Sequence, residues 1–433
     1  MRLNSTLGTR QTMAGNPVPI GTPIQWFINA IPPNGYLPCN GQAVSRTIYP
    51  ILFGIFGTYF GVGDGSTTFN LPDYNTGAVD MITYVKALDI LTGLVTDANT
   101  LGGQIPDFYS GRTMKNKLIN GNFDIWQRGN TQTVSGYGSD DRWYNGSSGS
   151  TKVHSQQAFT LGQVEVPGNP TYFSRTVVTS VAGTGNYCCK TQAIESVVTV
   201  SGKTVTLSFW AKADSIKSIG VEFLQCFGGG GSPSSTISGI GTSVINLTAS
   251  WKKYTVSAQI PSVLGKTLGT YNSDFLQVGF WFDAGTSLAT RTNSLGQQSG
   301  TFDIAQVQLE EGSVATTFES RHIQQEIALC QRYYEKSYDT TIAPGTVSSN
   351  GILFTYSGTT GTWTPNISFK QTKRTVPTMT PYSVAGTAGY TTSASSNFAY
   401  TITNIGANGG STQTMSSTSS VIYYMHWTAD AEL

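Results

Sequence analysis

Residues Thr204–Ala213 read TVTLSFWAKA. Val205, Leu207 and Phe209 fall on one side of an extended chain and Trp210 on the other, with Thr, Ser and Lys between them. Alternation of this kind over ten residues predicts a β-strand with one face turned to a core. Phe275–Phe282 and Phe302–Leu309 read the same way. Turn-rich stretches separate such runs, most clearly FGGGGSPSS at Phe227–Ser235. Short strands between Gly, Ser and Pro loops, from Lys117 to about Phe318, predict a β-sandwich or jelly roll.

Working outward, the 433 residues suggest two to four domains. Charged residues make up only 11%, well under the roughly 25% of an average soluble chain, with Gly, Ser and Thr in their place. The hydrophobic share of 38% still supplies enough apolar surface to offset chain entropy. The net charge is +1 and no long Lys/Arg run occurs, which argues against nucleic-acid binding by phosphate neutralisation. The most apolar run, Ile48–Val62, is broken by Pro50 and glycines and is shorter than the ~18–20 residues of a membrane span, so no membrane insertion is expected. Met1–Gly15 is polar and lacks the apolar stretch of a secretory signal. Cys39, Cys188, Cys189, Cys226 and Cys330 are scattered and odd in number, and adjacent Cys188 and Cys189 point to opposite faces of a strand. They read as reduced thiols of a protein made in a cytoplasm, and no paired C-x-x-C suggests zinc.

The chain divides into a loosely ordered arm (1–17), a compact unit dense in Gly, Pro and aromatics (18–75), a helical segment and linker (76–116), the sandwich (117–320), and a helix followed by a β-rich C-terminal tip (321–433). Ala78, Met81, Val85, Leu88, Thr92 and Val95 step by three and four, which predicts a helix, either a coiled-coil seam between copies or an ordinary amphipathic helix. A second helix is predicted after Glu319 and Ser320 as caps, with Ile323, Ile327, Cys330 and Tyr334 on one face. No regular internal repeat appears, so a β-helix has no support.

Two parts of the chain carry recognisable patterns. The first runs Pro19-Ile20-Gly21, Trp26, Pro33-Asn34-Gly35-Tyr36-Leu37-Pro38-Cys39-Asn40-Gly41-Gln42, Ser45-Arg46, Tyr49-Pro50, Leu52-Phe53, Gly57, Tyr59, Gly61, Gly63-Asp64-Gly65, Thr68-Phe69 and Leu71-Pro72-Asp73. It resembles the phage tail collar domain of short tail fibres, over about an eighth of the chain. Pro33-Asn34-Gly35 and Asn40-Gly41 are turn formers, and Trp26, Tyr36, Phe53 and Phe69 offer core material. The resemblance implies a virion protein, usually a homotrimer, without implying catalysis.

The second comprises Leu118-Ile119-Asn120-Gly121-Asn122-Phe123-Asp124-Ile125-Trp126-Gln127-Arg128-Gly129, Asp141-Arg142-Trp143, Leu207–Ala213, Trp251-Lys252-Lys253-Tyr254, Val307-Gln308-Leu309-Glu310-Glu311-Gly312 and Cys330-Gln331-Arg332-Tyr333-Tyr334. It looks like a jelly-roll module of phage tail fibres, which is similar to carbohydrate-binding modules. The closing Ala429–Leu433 looks like the end of such fibres. Together these resemblances imply a mainly β tail-fibre protein of the virion that adheres to host surface polysaccharide or lipopolysaccharide. A purely structural baseplate role and a glycan depolymerase are the alternatives.

A saccharide offers apolar C–H faces ringed by hydroxyls, so its site needs flat aromatic rings beside short polar groups. The candidates are Tyr137, Trp143, Tyr144 and Trp281, with Asp141 and Arg142 as polar partners. A core role is the competing reading for the tryptophans, and a local structural pair for Asp141 and Arg142. Similar jelly rolls hold a calcium ion, for which Asn122, Asp124 and Asp303 are the candidates here. No other cofactor is expected. Glycan cleavage needs two carboxylates roughly 5–10 Å apart. The adjacent pairs Asp140/Asp141 and Glu310/Glu311 split across strand faces, the more distant Asp141 with Glu222 stays open, and no nucleophile motif occurs. The expectation is therefore a binding protein rather than an enzyme.

Overall fold

The computed structural model describes residues 19–27, 35–77, 81–87, 114–357, 361–363, 366–393, 396–412, 415–417 and 421–433. Two compact units result, Met1–Arg112 and Thr113–Leu433.

The first unit contains β1 (Pro23–Phe27), β2 (Tyr36–Pro38), β3 (Ala43–Ser45), α1 (Pro50–Phe56), β4 (Thr68–Asn70) and β5 (Met81–Lys86). Strand β5 lies between β1 and β2, and β3 pairs with β4, all antiparallel. Pro50 opens α1, where a missing N–H costs nothing. Cys39, Leu52, Phe69, Leu71 and Val85 form the core. The Gly63-Asp64-Gly65 turn is held by the Asp64 carboxylate, which accepts from the amides of Ser66, Thr67 and Thr68 at 2.7–3.0 Å. The Thr67 hydroxyl and these amides hold the Asp64 carboxyl well below its usual range. A side chain at Gly63 (φ +60°) would meet the Thr68 carbonyl carbon at 2.5 Å, so only glycine fits there.

The helix expected from residue 76 to about 100 is corrected at its start. Met81 and Val85 belong to strand β5, where Ile82 faces Trp26 and Val85 faces Leu37. β-Branched Ile82, Thr83 and Val85 suit a strand flanked on both sides, and Val85 is buried there. Ala78, Leu88, Thr92 and Val95 lie outside the described residues.

The second unit is built around β6 (Thr131–Gln132), β7 (Tyr144–Ser148), β8 (Thr151–Ala158), β9 (Tyr172–Thr179), β10 (Tyr187–Glu195), β11 (Thr204–Ala213), β12 (Lys217–Cys226), β13 (Ile237–Leu247), β14 (Lys252–Gln259), β15 (Phe275–Ala284) and β16 (Gly300–Glu311). They form a five-stranded sheet, β13-β12-β15-β10-β7, and a six-stranded sheet, β14-β11-β16-β9-β8-β6. The neighbours within both are antiparallel, as a jelly-roll sandwich requires. Val205, Leu207 and Phe209 of β11 enter the shared core with Val221, Phe223, Val278, Phe280, Phe302 and Leu309. Trp210, on the opposite face, packs with Phe159, Phe173 and Trp251 in a smaller cluster. The predicted alternation is realised, and both faces of β11 are covered. The Phe227–Ser235 loop is tied to a neighbouring loop by bonds from Gly269, Tyr271 and Ser234 amides to the Phe227, Gly229 and Thr267 carbonyls.

After the sandwich, α2 (Ala289–Thr292) having interrupted it before β16, the chain forms α3 (Ile323–Gln331) and β17 (Tyr334–Lys336). The cap of α3 is His322, whose Nδ1 accepts from the Gln324 amide at 3.3 Å. The expected cap Glu319 instead accepts from the Met114 and Asn116 amides at 2.6 and 2.8 Å. Ile323 is exposed and Tyr334 lies in β17, because Glu326, Cys330 and Gln331 supply the buried face of α3. The tip centres on the strand Val421–Asp430, which pairs with β17, Leu353–Ser357, Thr378–Tyr382 and Tyr390–Ser393. Ile367, Tyr400, Ile402, Met425 and Trp427 form its core.

Sandwich and tip belong to one compact unit, joined by ion pairs. Arg128 Nη2 reaches Asp430 and Glu432 at 3.1 Å each, and Arg142 pairs with the other Glu432 oxygen. Arg332 pairs with Glu195 at 2.6 Å. No helix among the described residues is long and apolar enough to cross a membrane.

Candidate functional site

The outward face of the five-stranded sheet carries a groove of about 460 Å³. Its floor follows from strand register. Tyr144, Thr191, Gly279 and Glu222 stand side by side across β7, β10, β15 and β12. Beside them run Gly146, Cys189, Trp281 and Gly220. A Cβ at Gly279 would lie in ordinary contact with Thr191 and Trp281, at 3.4 and 3.7 Å. The indole reaches across the sheet to donate to Glu222 Oε2 at 3.1 Å.

Arg291, from α2, roofs this floor. Its guanidinium lies 4.9 Å over the Trp281 ring and donates to both Glu222 oxygens at 2.8 and 2.9 Å. Glu222 is buried, while Arg291 is partly exposed. Tyr187 meets Trp281 edge-on at 5.6 Å, and Tyr144 meets Tyr137 edge-on at 5.4 Å. The groove thus has aromatic walls, with Thr191, Gln277 and Arg291 as hydrogen-bonding groups. Cys189 also lines it, and burial pushes its thiol up to about 12, which makes it a poor nucleophile.

Of the six residues singled out from the sequence, three come together here: Tyr137, Tyr144 and Trp281. Tyr144 is 36% exposed, whereas Trp281 is 3% exposed and acts as floor. The other three do not reach the groove. Trp143 is fully buried, packs on Phe123 and Phe280 at 5.4 and 6.2 Å, and donates to the Asn120 carbonyl at 3.1 Å. Asp141 is buried and accepts from the amide and side chain of Gln127 at 2.9 and 2.5 Å. Burial, opposed by Arg128, pushes its carboxyl up to about 6. Arg142 is buried at φ +72°, lies 3.4 Å over Tyr333, and donates to the Ala193 carbonyl at 2.6 Å. Trp143 is core, and the other two belong to a polar knot that seats the C-terminal residues.

Each calcium candidate has a partner within the protein. Asn122 donates to Asp124 at 2.8 Å, and Asp303 is taken by the fork of Arg175 at 2.7 and 2.8 Å. No group of three or more His, Cys, Asp or Glu placed to hold a metal occurs among the described residues. The carboxylates weighed for glycan cleavage are engaged. Asp140 pairs with Lys190 and accepts from Asn145 at 2.8 Å, Glu222 holds Arg291, and Glu310 accepts from Thr316 at 2.7 and 2.8 Å.

Tyr187 and Arg291 were not anticipated. Every residue of β10 between Tyr187 and Glu195 is buried, and Lys190 and Gln192 face inward. No apolar–polar alternation therefore marks its groove side.

The sequence model of the Phage Tail Collar Domain matches residues 21–79. No curated protein sequence matches the chain. Among solved structures, a putative sugar-binding protein from Bacteroides thetaiotaomicron is similar at 12% identity and a TM-score of 0.28, over 46% of this chain and 100% of that one. The enzymatically active domain of tailspike protein 4 from bacteriophage CBA120 is similar at 15% identity and a TM-score of 0.27, over 50% of this chain and 23% of that one. A family 11 carbohydrate-binding module from Clostridium thermocellum gives 15% identity and a TM-score of 0.24, over 44% and 99%. Residues 21–79 thus carry a phage tail collar domain.

Proposed function

We propose that this chain is a tail-fibre protein that attaches a tailed phage to glycans on the host surface, as a homotrimer. The observation that carries the reading is the groove on the five-stranded sheet, where Tyr137, Tyr144, Tyr187 and Trp281 surround a short set of hydrogen-bonding side chains. Such walls suit the C–H faces of sugar rings, and Thr191, Gln277 and Arg291 suit their hydroxyls. The collar domain serves attachment to other tail or baseplate proteins. One weak site per chain becomes effective when several engage a surface together, since later contacts are intramolecular.

The reading is adhesion without cleavage and without a cofactor. The carboxylates Asp140, Glu222 and Glu310 are each held by a cation or by hydroxyl and amide donors. Binding of fluorescently labelled full-length protein to a strain panel, with and without surface polysaccharide, is the test. Saturable binding lost on stripping the polysaccharide supports the adhesin. Binding to no strain, by protein that is folded, supports the purely structural role, and shortening of the polysaccharide supports a depolymerase.

A further inference from the structure

Tyr137 borders two cavities. On one side it walls the groove; on the other, with Gly138, it edges a cleft of about 640 Å³ where the sandwich meets the tip. We propose that this cleft is a second saccharide site, continuous with the groove across Tyr137, and that the ligand is an oligosaccharide of neutral sugars long enough to occupy both. The proposal rests on the reading of the groove as a glycan site.

The cleft wall is rich in hydroxyls. Thr378 and Thr380 stand on the strand Thr378–Tyr382, and Thr380 faces Thr428 across the ladder. Tyr334 and Tyr382 also line it. Hydroxyls both donate and accept, as the hydroxyls of a sugar do, so each can pair whichever way the ligand presents itself. Both cavities fall within the ~300–1,000 Å³ of small-molecule sites, and neither needs the other to hold a sugar ring.

Arg128 supplies an independent observation. Its side chain is 7% exposed and its guanidinium lies 3.7 Å over the Tyr334 ring. Nη2 is committed to Asp430 and Glu432, but Nη1 has no hydrogen-bond partner within the protein. A buried N–H left unpaired is costly, and a small shift of this wall would let a ligand hydroxyl oxygen satisfy it.

The charges also select the ligand. Arg128 meets the carboxylates of Asp430 and Glu432 in the cleft itself, and Glu432 also neutralises Arg142. The charged groups of the lining are Arg128, Asp430 and Glu432, so no unpaired cation stands in it to draw a phosphate or uronate. A neutral polyol is the chemistry that remains.

The test is calorimetric titration of full-length protein with size-fractionated neutral oligosaccharides from the surface polysaccharide of a strain to which it adheres. Affinity is expected to rise at least tenfold between fragments that fill the groove alone and fragments long enough to cross Tyr137. Thr378→Trp, at an exposed position on the cleft, removes that increment and leaves short-fragment binding unchanged. Thr380→Val, which deletes one hydroxyl at nearly constant volume, reduces the increment without filling the cleft. Thermal unfolding of each variant checks the fold. Equal affinity for short and long fragments in the unmodified protein, or an increment that survives Thr378→Trp in folded protein, overturns the proposal and leaves the groove standing. Loss of binding at every length in the unmodified protein overturns the groove reading and this proposal with it.

Discussion

Trp281 donates its indole N–H to Glu222 at 3.1 Å, and the same carboxylate takes both Nε and Nη2 of Arg291. One buried anion therefore sets the position of both the floor and the roof of the groove. Glu222→Ala leaves a guanidinium and an indole N–H unpaired at once. Breaking a buried pair costs about 3 kcal/mol, and the partial exposure of Arg291 puts the loss at or below that figure. Urea unfolding of the variant measures the loss. Binding is expected to fall further than stability alone requires, because Arg291 no longer holds its place over Trp281.

Tyr144 and Trp143 are neighbours with opposite duties. Tyr144→Ala removes a wall of the groove from an exposed position, and is expected to lower glycan affinity about tenfold or more, or roughly 1.4 kcal/mol, with little change in unfolding. Trp143→Ala empties a fully buried site between Phe123 and Phe280 and is expected to cost about 4 kcal/mol of stability. Titration and denaturant melts on the same two variants separate the roles. A Trp143→Ala protein of unchanged stability would place that ring outside the core.

Glu432 binds two guanidinium groups, those of Arg128 and Arg142. Glu432→Ala leaves buried Arg142 without a carboxylate and Arg128 with Asp430 alone, and the expected cost is about 3 kcal/mol. The damage should be local at first. The tip loses its seat on the sandwich, so limited proteolysis is expected to cut near residues 321–345 before the sandwich itself unfolds. Simultaneous digestion of both parts would contradict this.

Asp141 gives a pH dependence of unusual sign. Burial raises its carboxyl from 3.8 to about 6. Between about pH 4 and 6 the folded chain holds a proton that the unfolded chain has released, so this group's contribution to stability falls as pH rises through that window. Asp141→Asn removes the titration. The stability of the variant relative to the unmodified protein is expected to improve by on the order of 2 kcal/mol from pH 4 to pH 7. Unfolding free energies at the two pH values check it, and a constant difference would show that Asp141 titrates normally.

Much of the sandwich was legible because its strands alternate in the simplest way: Val205, Leu207 and Phe209 enter the core and Trp210 does not. The first unit was legible from its turn residues, and its matched stretch carries them. The Asp141-Arg142-Trp143 triplet stayed open between core and site because an aromatic beside two charges fits either. Its charge partner Glu432 is 290 residues away, a distance no local pattern spans. Arg291 and Tyr187 were missed for a related reason. They become one site only when β7, β10, β15 and β12 are set in register. Met81 and Val85 fit helical steps equally well as a strand, and what decided between them was Trp26 and Leu37, far back in the chain.

The most direct test of the central claim is a co-crystal structure of the full-length protein with a surface oligosaccharide from a strain to which it adheres. The account predicts a sugar ring in the groove, against Tyr144 and beside the Arg291 guanidinium that covers Trp281, within hydrogen-bonding distance of Thr191, Gln277 or Arg291. An oligosaccharide bound elsewhere, with the groove empty, would contradict it.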